Sequence, residues 1–115
     1  MAITGSAFGE FDGINDVLII PEPPDGVRRL VTSLRIINLD TVEITPTIRL
    51  RRVGVVPSGE APFVVAFPDI ALAVGREFSR EKEIAVVEGF DLIAHLAAAT
   101  TTERPIFHAL WIDLA

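Results

Sequence analysis

The sequence predicts an all-β fold, a single β-sandwich or jelly-roll-like domain of about seven or eight antiparallel strands. Two long stretches, residues 30–52 and Ile106–Leu114, alternate apolar and polar side chains with the period of two that half-buried strands show. Turn signals recur about every 8 to 12 residues elsewhere, which is typical of sandwiches and barrels. The length of 115 residues fits one domain.

The composition excludes several function classes. The chain has no cysteine, which removes disulfides, thiolate nucleophiles and Cys-based metal sites. Its net charge of −6 argues against binding to nucleic acid phosphates. Half of its residues are hydrophobic, so we expect apolar surface that contacts a partner. No apolar run approaches the ~20 residues that span a bilayer, and the N-terminus does not resemble a signal peptide, so the chain is expected to be cytosolic when made.

Residues 1–15 are predicted to be an N-terminal arm, and residues 16–115 the β-sandwich domain. The arm mixes Gly, Ser, Asp and Phe without a strand or helix period, so we expect it to be irregular and to become ordered on a neighbouring protein. Phe8, Phe11 and Ile14 are its candidate anchors. The alternative is that Phe8 and Phe11 pack into the core of the domain itself.

The first predicted strand of the domain is Val17–Ile20, which ends at the proline-rich turn 21–26. The next strand is expected to place alternate residues on the core side: Leu30, Thr32, Leu34, Ile36 and Asn38. Residues 38–40 then form the turn of a hairpin whose second arm is residues 42–56. Pro46 cannot donate to a ladder, so this arm is expected at a sheet edge or with a bulge at Pro46.

The second half of the chain alternates short apolar strands with turns. Residues 57–62 are a predicted loop, and residues 70–74 are either a strand or a helical turn that Gly75 ends. A charged stretch, residues 76–83, leads into further strands. The predicted strands of this half are Phe63–Phe67, with both faces buried, residues 84–87, residues 90–97 and Ile106–Leu114.

No catalytic constellation is evident in the sequence. His95 and His108 fall on different predicted strands, and a metal site would need a third ligand such as Asp91 or Asp113. The serines lack a nucleophile motif, and the glycines form no phosphate-binding loop. We therefore expect no enzyme activity, no cofactor and no metal.

Arginine accounts for nine of the ten basic residues. Arg49 and Arg51 share the polar face of their strand, and Arg35 lies on the other arm of the predicted hairpin, where it would approach Arg49. Arginine pairs well with carboxylates and is enriched at interfaces, so this stripe is a candidate interface with acidic surface, including that of a second copy. The alternative is a solvated sheet face.

Trp111 is a further interface candidate. It shares a face of the closing strand with Phe107 and Ala109, but the opposite face is also largely apolar. Either the strand is central in its sheet, or another subunit covers one side.

The segments LVTSLRIINLDTVEITPTIRL and LAVGREFSREKEIAVVEGFDLIAHLAA, with the closing strand, resemble small β-sandwich structural proteins of tailed bacteriophages. The shared layout is a hairpin with an Asn-containing turn, an L-x-x-G-x-x-φ motif at residues 72–78, a strand after Glu-Gly, and a terminal strand. The resemblance covers residue 27 to the end. Pro46, Pro57 and Pro62 depart from the pattern and affect the strand count.

The resemblance implies a non-enzymatic virion protein present in many copies. The expected role is a capsid decoration or cement protein that forms a homo-oligomer and binds the major capsid protein of the assembled head shell. A tail or head–tail connector component is the alternative within this class. A small carbohydrate-binding sandwich module is the alternative from another class, and it is disfavoured because the chain has one Trp and no Tyr for stacking on sugar rings.

Overall fold

The computed structural model describes residues 3–11, 14–54, 63–67, 70–80, 84–98 and 103–114. Their regular structure is entirely β, which confirms the predicted fold class, and none of it is a helix that could span a membrane. The strands are β1 (Ile3–Glu10), β2 (Val17–Ile20), β3 (Arg28–Ile37), β4 (Pro46–Arg52), β5 (Phe63–Phe67), β6 (Glu77–Arg80), β7 (Ile84–Val86), β8 (Phe90–Leu96) and β9 (Ile106–Leu114).

The strands form two antiparallel sheets. The first has the order β1-β9-β3-β6, and the second has the order β2-β8-β4-β5. Strand β7 pairs with the same side of β3 as β6 does, further along β3, so β6 and β7 together occupy one strand position. The nine strands therefore fill eight positions, four in each sheet, which is the arrangement of a jelly roll.

The predicted hairpin between β3 and β4 is wrong, because the two strands belong to different sheets. The chain crosses between the sheets at a buried polar corner. Asn38 is fully buried, and its Nδ2 donates to the carbonyl oxygens of Val42 at 2.9 Å and Leu72 at 3.0 Å. Its Oδ1 accepts a hydrogen bond from the Asp40 amide. These bonds provide backbone groups in the corner with the partners that a hairpin ladder would have supplied.

A bulge changes the core face of β3. The register against β9 shifts between Val31 and Ser33, so Thr32 is the extra residue. Val31 is buried before the bulge, and Leu34 and Ile36 are buried after it. The expected core face that started at Leu30 is thus correct only after the bulge.

Pro46 does not mark an edge strand, because β4 lies between β8 and β5. It is the first residue of β4, where a missing backbone donor is tolerated. Strand β4 pairs with β8 without a shift, and in the β4–β5 pair the extra residue is Ala66 of β5, opposite Ile48 and Arg49. Residues 57–62, the predicted loop, and the side chains of β5 lie outside the described part of the chain.

Residues 70–74 form neither a regular strand nor a helical turn. Leu72 makes an isolated bridge with Ile44, after which Gly75 adopts a positive φ of 72°. The predicted turn at Glu88–Gly89 is confirmed, with Gly89 at a φ of 90° that favours glycine.

The prediction of an irregular arm is wrong for Ile3–Glu10, which pairs with β9 along its whole length. Three of the four residues on the inward side of β1 are small, namely Gly5, Ala7 and Gly9, and the fourth, Ile3, is 63% exposed at the start of the strand. Aromatic rings of β9 occupy the space beneath the two glycines. The core side of β1 is therefore filled by its neighbour, and no apolar alternation is visible in the sequence of β1 itself.

The core lies between the two sheets. Its fully buried large side chains come from both, and they are Phe11, Ile19, Ile20, Val31, Leu34, Ile36, Ile48, Val86, Leu92 and Leu96. Burying each side chain of this size contributes about 1.5–3 kcal/mol.

Candidate interface on the outer face of the first sheet

Strand β9 turns two apolar faces in opposite directions. Phe107, Ala109 and Trp111 are buried towards the second sheet. The alternate residues face outwards, and Leu110 is 41% exposed there. Strand β9 lies between β1 and β3, so it is central in its sheet, which is the first of the two alternatives predicted for the strand of Trp111. The outer face of the first sheet consists mainly of Thr4, Ser6 and Phe8 of β1, Arg35 and Ile37 of β3, and Ile106, His108, Leu110 and Ile112 of β9.

A groove of about 290 Å³ lies on this face. Phe8, 68% exposed, forms one wall, and Arg35 lies across from it. Ile37 and Ile106, which are directly opposite each other in the β3–β9 register, contribute to its apolar lining. The ring of His108 stands 6.4 Å from that of Phe8 between centroids. The groove is thus mainly apolar, and His108 lies on the strand between those of Phe8 and Arg35.

The charge of Arg35 is already neutralised within the chain. Its Nε donates to Oε1 of Glu77 and its Nη2 to Oε2, both at 2.8 Å. The bidentate hydrogen bonds lower the pKa of Glu77 and raise that of Arg35, and the attraction of the two charges adds to both shifts. Arg35 is therefore held at the rim of the groove, and a partner carboxylate would have to displace Glu77 to bind it.

Arg49 and Arg51 lie elsewhere, on the outer face of the second sheet. Arg51 donates to both carboxylate oxygens of Asp91, at 3.2 and 2.8 Å, and these bonds raise the pKa of Arg51. Arg49 Nη2 lies 3.4 Å from His95 Nε2, and His95 Nδ1 lies 3.5 Å from Asp16 Oδ1. The expected approach of Arg35 to Arg49 is wrong, because the two side chains are on opposite faces of the sandwich.

The remaining interface candidates separate into core and surface. Phe11 is fully buried and packs edge-to-face on Phe107, with ring centroids 6.0 Å apart. Trp111 is 8% exposed, and the Arg29 guanidinium lies 5.3 Å from its ring centroid. The prediction that these two aromatic residues face a partner is therefore wrong. Ile14, between β1 and β2, is 61% exposed.

Ile37, Ile106 and Leu110 are not among the interface residues that the sequence predicts. The signal for the last two was present, because they belong to the second apolar face of β9. Ile37 was assigned correctly to the face opposite Leu34 and Ile36, but its sheet partner was unknown without the β3–β9 pairing.

Within the described ranges, no three His, Asp or Glu side chains are grouped to hold a metal ion. His95 and His108 lie on the outer faces of different sheets, so the structure does not bring them together. The candidate functional site in the described ranges is therefore the apolar outer face of the first sheet.

No protein-family model matches the sequence, and no curated protein matches it. Solved structures that share its fold include the following two. A chain from the acidic stable capsid structure of Helicobacter pylori bacteriophage KHP30 superposes with a TM-score of 0.53 at 10% identity, covering 99% of this chain and 93% of that one. A chain from the structure of infectious bursal disease virus, Gx strain, gives a TM-score of 0.52 at 8% identity, with 99% of this chain and 33% of that chain covered. At these identities the likeness is one of fold.

Proposed function

We propose that this protein is a structural component of a virion, a capsid decoration or cement protein that binds the assembled head shell and has no enzyme activity. The observation that carries the proposal is the apolar outer face of the first sheet on a jelly-roll domain. The two solved structures of the same fold, which come from viral particles, support the assignment to a virion.

The outer face has the properties of a docking surface. Phe8 and Leu110 are large apolar side chains that are exposed to solvent in the isolated chain. Burying a Leu or Phe side chain completely contributes about 1.5–3 kcal/mol, so covering this face gives a favourable term for binding. Apolar surface of this kind on a small domain marks a site of contact with another protein.

The electrostatics favour a protein partner. The chain carries a net charge of −6, and Glu77 already neutralises Arg35 at the groove. Such a surface repels nucleic acid phosphates. An apolar, neutral or basic surface of the major capsid protein is the partner that fits it.

The mechanism of a cement protein follows from linkage. A protein that binds the assembled shell but not its separate subunits adds its binding free energy to the stability of the shell. Many copies, each bound through one sheet face, then raise the temperature at which the particle opens.

A glycan-binding role is less compatible with the structure. The single Trp of the chain belongs to the core, so it is not exposed for stacking on a sugar ring. Phe8 is an exposed aromatic residue, but its neighbours in the groove are aliphatic side chains, His108 and the Arg35–Glu77 pair, which suit an apolar protein segment better.

The proposal is tested with particles produced without this protein. The purified chain is added back, and attachment is measured by co-sedimentation. Leu110→Glu, on the first sheet, is compared with Leu18→Glu, on the outer face of the second sheet, where Leu18 is 48% exposed. The two variants add the same charge at similar exposure, and thermal melting establishes that both fold.

We expect wild type and Leu18→Glu to attach and Leu110→Glu to lose attachment. Attached protein should raise the temperature at which the particles release their contents. Equal attachment of both variants would contradict the use of the first sheet. Failure of the wild type to bind would contradict the virion role. A bound copy number far below that of the major capsid protein would favour a tail or connector position instead.

A further inference from the structure

Strand β1 is an open edge of the first sheet. In the described part of the chain it pairs with β9 on one side and with no strand on the other. Phe11 follows β1 directly, and its amide donates to the carbonyl oxygen of Pro105 at 2.9 Å, which continues the register of Glu10 opposite Ile106. That bond establishes which backbone groups of β1 point towards β9.

In an antiparallel ladder, hydrogen-bonded and non-hydrogen-bonded pairs alternate. Because the Phe11–Pro105 pair is hydrogen-bonded, Gly9, Ala7, Gly5 and Ile3 also direct their backbone groups towards β9. The other residues of β1 direct their N–H and C=O groups to the open edge, and these are Thr4, Ser6, Phe8 and Glu10. Their side chains lie on the outer face of the sheet.

The other sheet edges carry features that discourage pairing. Strand β2 has four residues, its register shifts between Leu18 and Ile20, and Pro21 follows it. The edge formed by β6 and β7 is divided into two short strands. Strand β5 has five residues, with Pro62 before it and Pro68 after it in the sequence. Short strands, irregularities and prolines are the usual protection of an exposed edge.

Strand β1 has none of these protections. It is eight residues long, contains no proline, and keeps one register against β9. Its only charged residue is Glu10, at its end. A long, regular and nearly neutral edge is a template on which another strand can add.

We propose that β1 pairs antiparallel with β1 of a second copy, so that the first sheets of two chains join across a two-fold axis. This inference goes beyond the proposed function: it gives a surface to the homo-oligomer that the sequence predicts. A two-fold axis brings the same strand from both copies together, and each presents the same row of unpaired groups.

The charge distribution favours a second copy at this edge. Two chains of net charge −6 repel each other. Contact through β1 keeps this repulsion small, because the strand has one charged residue, Glu10. In registers centred on Ser6 or Ala7, the two Glu10 side chains lie at opposite ends of the pair, about 20 Å or more apart at 3.4 Å per residue. That separation exceeds the Debye length of about 8 Å at physiological salt.

Pairing also places Phe8 beside the outer-face residues of the partner strand, which covers part of its exposed ring. The apolar outer faces of both copies then form one continuous surface. A dimer built in this way presents two grooves to the same partner surface.

The test compares two proline substitutions on neighbouring residues. Ser6→Pro removes an N–H that points to the open edge, whereas Ala7→Pro removes one that bonds β9. Sedimentation velocity on the whole chain should give twice the 12.5 kDa chain mass for the wild type at high micromolar concentration. It should give the single mass for Ser6→Pro, with an unchanged β spectrum by circular dichroism. Ala7→Pro serves as the control and should melt at a lower temperature.

Hydrogen exchange locates the contact without any substitution. The amides of Ser6 and Phe8 should exchange at least about tenfold more slowly in concentrated than in dilute wild-type protein, while the Leu18 amide on β2 changes little. A wild type that is monomeric at every concentration, or a Ser6→Pro dimer as stable as that of the wild type, would overturn the inference.

The experiments distinguish failure of the β1 dimer from failure of the proposed function. If the wild type is monomeric but attaches to particles through the Leu110 face, the inference fails and the proposed function stands. If β1 dimerises but no particle binds, the reverse holds. Protection of the Ser6 amide that appears only with particles would show that the edge takes a strand of another protein, which contradicts the inference.

Discussion

Gly5 of β1 lies directly against the indole of Trp111. A Cβ on Gly5 would come within 2.6 Å of the ring atoms Cε2, Nε1 and Cζ2. Gly9 has the same relationship to Phe107, where a Cβ would lie 2.8 Å from Cζ. The absence of a side chain at Gly5 and at Gly9 is therefore what allows two aromatic rings of β9 to fill the core beneath β1.

Gly5→Ala should destabilise the protein by about 1–3 kcal/mol, the usual cost of forcing extra volume into a packed core. The indole must move or β1 must lift from β9. Ser6→Ala, on the outward face of the same strand, is the matched control and should change stability by less than about 0.5 kcal/mol. Urea unfolding followed by Trp111 fluorescence measures both. Equal stability of the two variants would mean that the close packing of Gly5 on the indole is not required.

This pair of residues also shows where sequence reasoning ends. The alternation in β3, β4, β8 and β9 predicted their existence and the fold class correctly, because each carries its own apolar face. Strand β1 has no such face, since the side chains that fill its core side belong to a strand about 100 residues away. The hydrophobic alternation of a strand shows which of its own side chains are buried. It does not show that side chains of a distant strand fill the core beside it.

The predicted β3–β4 hairpin is wrong for a related reason. A period of two identifies strands but does not say which strands pair. Residues 38–40 have the composition of a turn, and a turn suits both a hairpin and a crossing between sheets. At the crossing Asn38 bonds to Leu72, a long-range partner that no local pattern contains.

The interface candidates divide in the same way. Phe8 and Arg35 were selected on different grounds, yet both line the groove. The sequence predicts Phe11 as an anchor of an irregular arm and Trp111 as part of a strand with two apolar faces. They are in the core because Phe11 continues the inward row of β1 and Trp111 fits beneath Gly5.

Phe11 and Phe8 should respond very differently to truncation. Phe11→Ala removes a fully buried ring that packs on Phe107, and it should cost about 3–5 kcal/mol of folding stability. Phe8→Ala removes a ring that is 68% exposed and should cost less than about 0.5 kcal/mol. Denaturant unfolding of the two variants measures the difference.

For the same reason, deletion of residues 1–12 should lower the melting temperature strongly, because it removes β1 and Phe11 together. A deletion that melts like the wild type would support the alternative of a separable arm at residues 1–15.

The Arg35–Glu77 pair predicts a pH dependence with a defined sign. Hydrogen bonds from Arg35 lower the pKa of Glu77 in the folded state. The pair therefore stabilises the fold above the unfolded pKa of Glu77, and this contribution is lost as the pH falls through the lower folded pKa. Arg35→Ala should raise the pKa of Glu77 towards its ordinary value, as measured by NMR titration of the carboxyl carbon. Arg76→Ala, which removes the adjacent positive charge, should change that pKa much less; an equal rise in both variants would show that nearby charge, and not the bidentate bond, causes the shift.

The final prediction concerns the corner that separates this fold from a simple hairpin. Asn38→Ala would remove the donor to the carbonyl oxygens of Val42 and Leu72 and the acceptor of the Asp40 amide. A buried polar group left unpaired costs about 1–3 kcal/mol, so the substitution should be among the most destabilising in the chain. Asn38→Asp keeps the acceptor for Asp40 but places its second carboxylate oxygen, in the position of Nδ2, against two carbonyl oxygens, so it should also destabilise the corner.

Leu39→Ala is the matched control for this corner, because Leu39 is the adjacent residue and is 48% exposed. It should leave the stability within about 0.5 kcal/mol of the wild type. Chemical denaturation compares the three variants. Hydrogen exchange at the Ile44 and Leu72 amides, which bond each other's carbonyl oxygens beside the corner, shows whether the loss is local. If Asn38→Ala unfolds like Leu39→Ala and these amides stay protected, the crossing between the sheets is held by the core alone, and the buried asparagine is not needed for it.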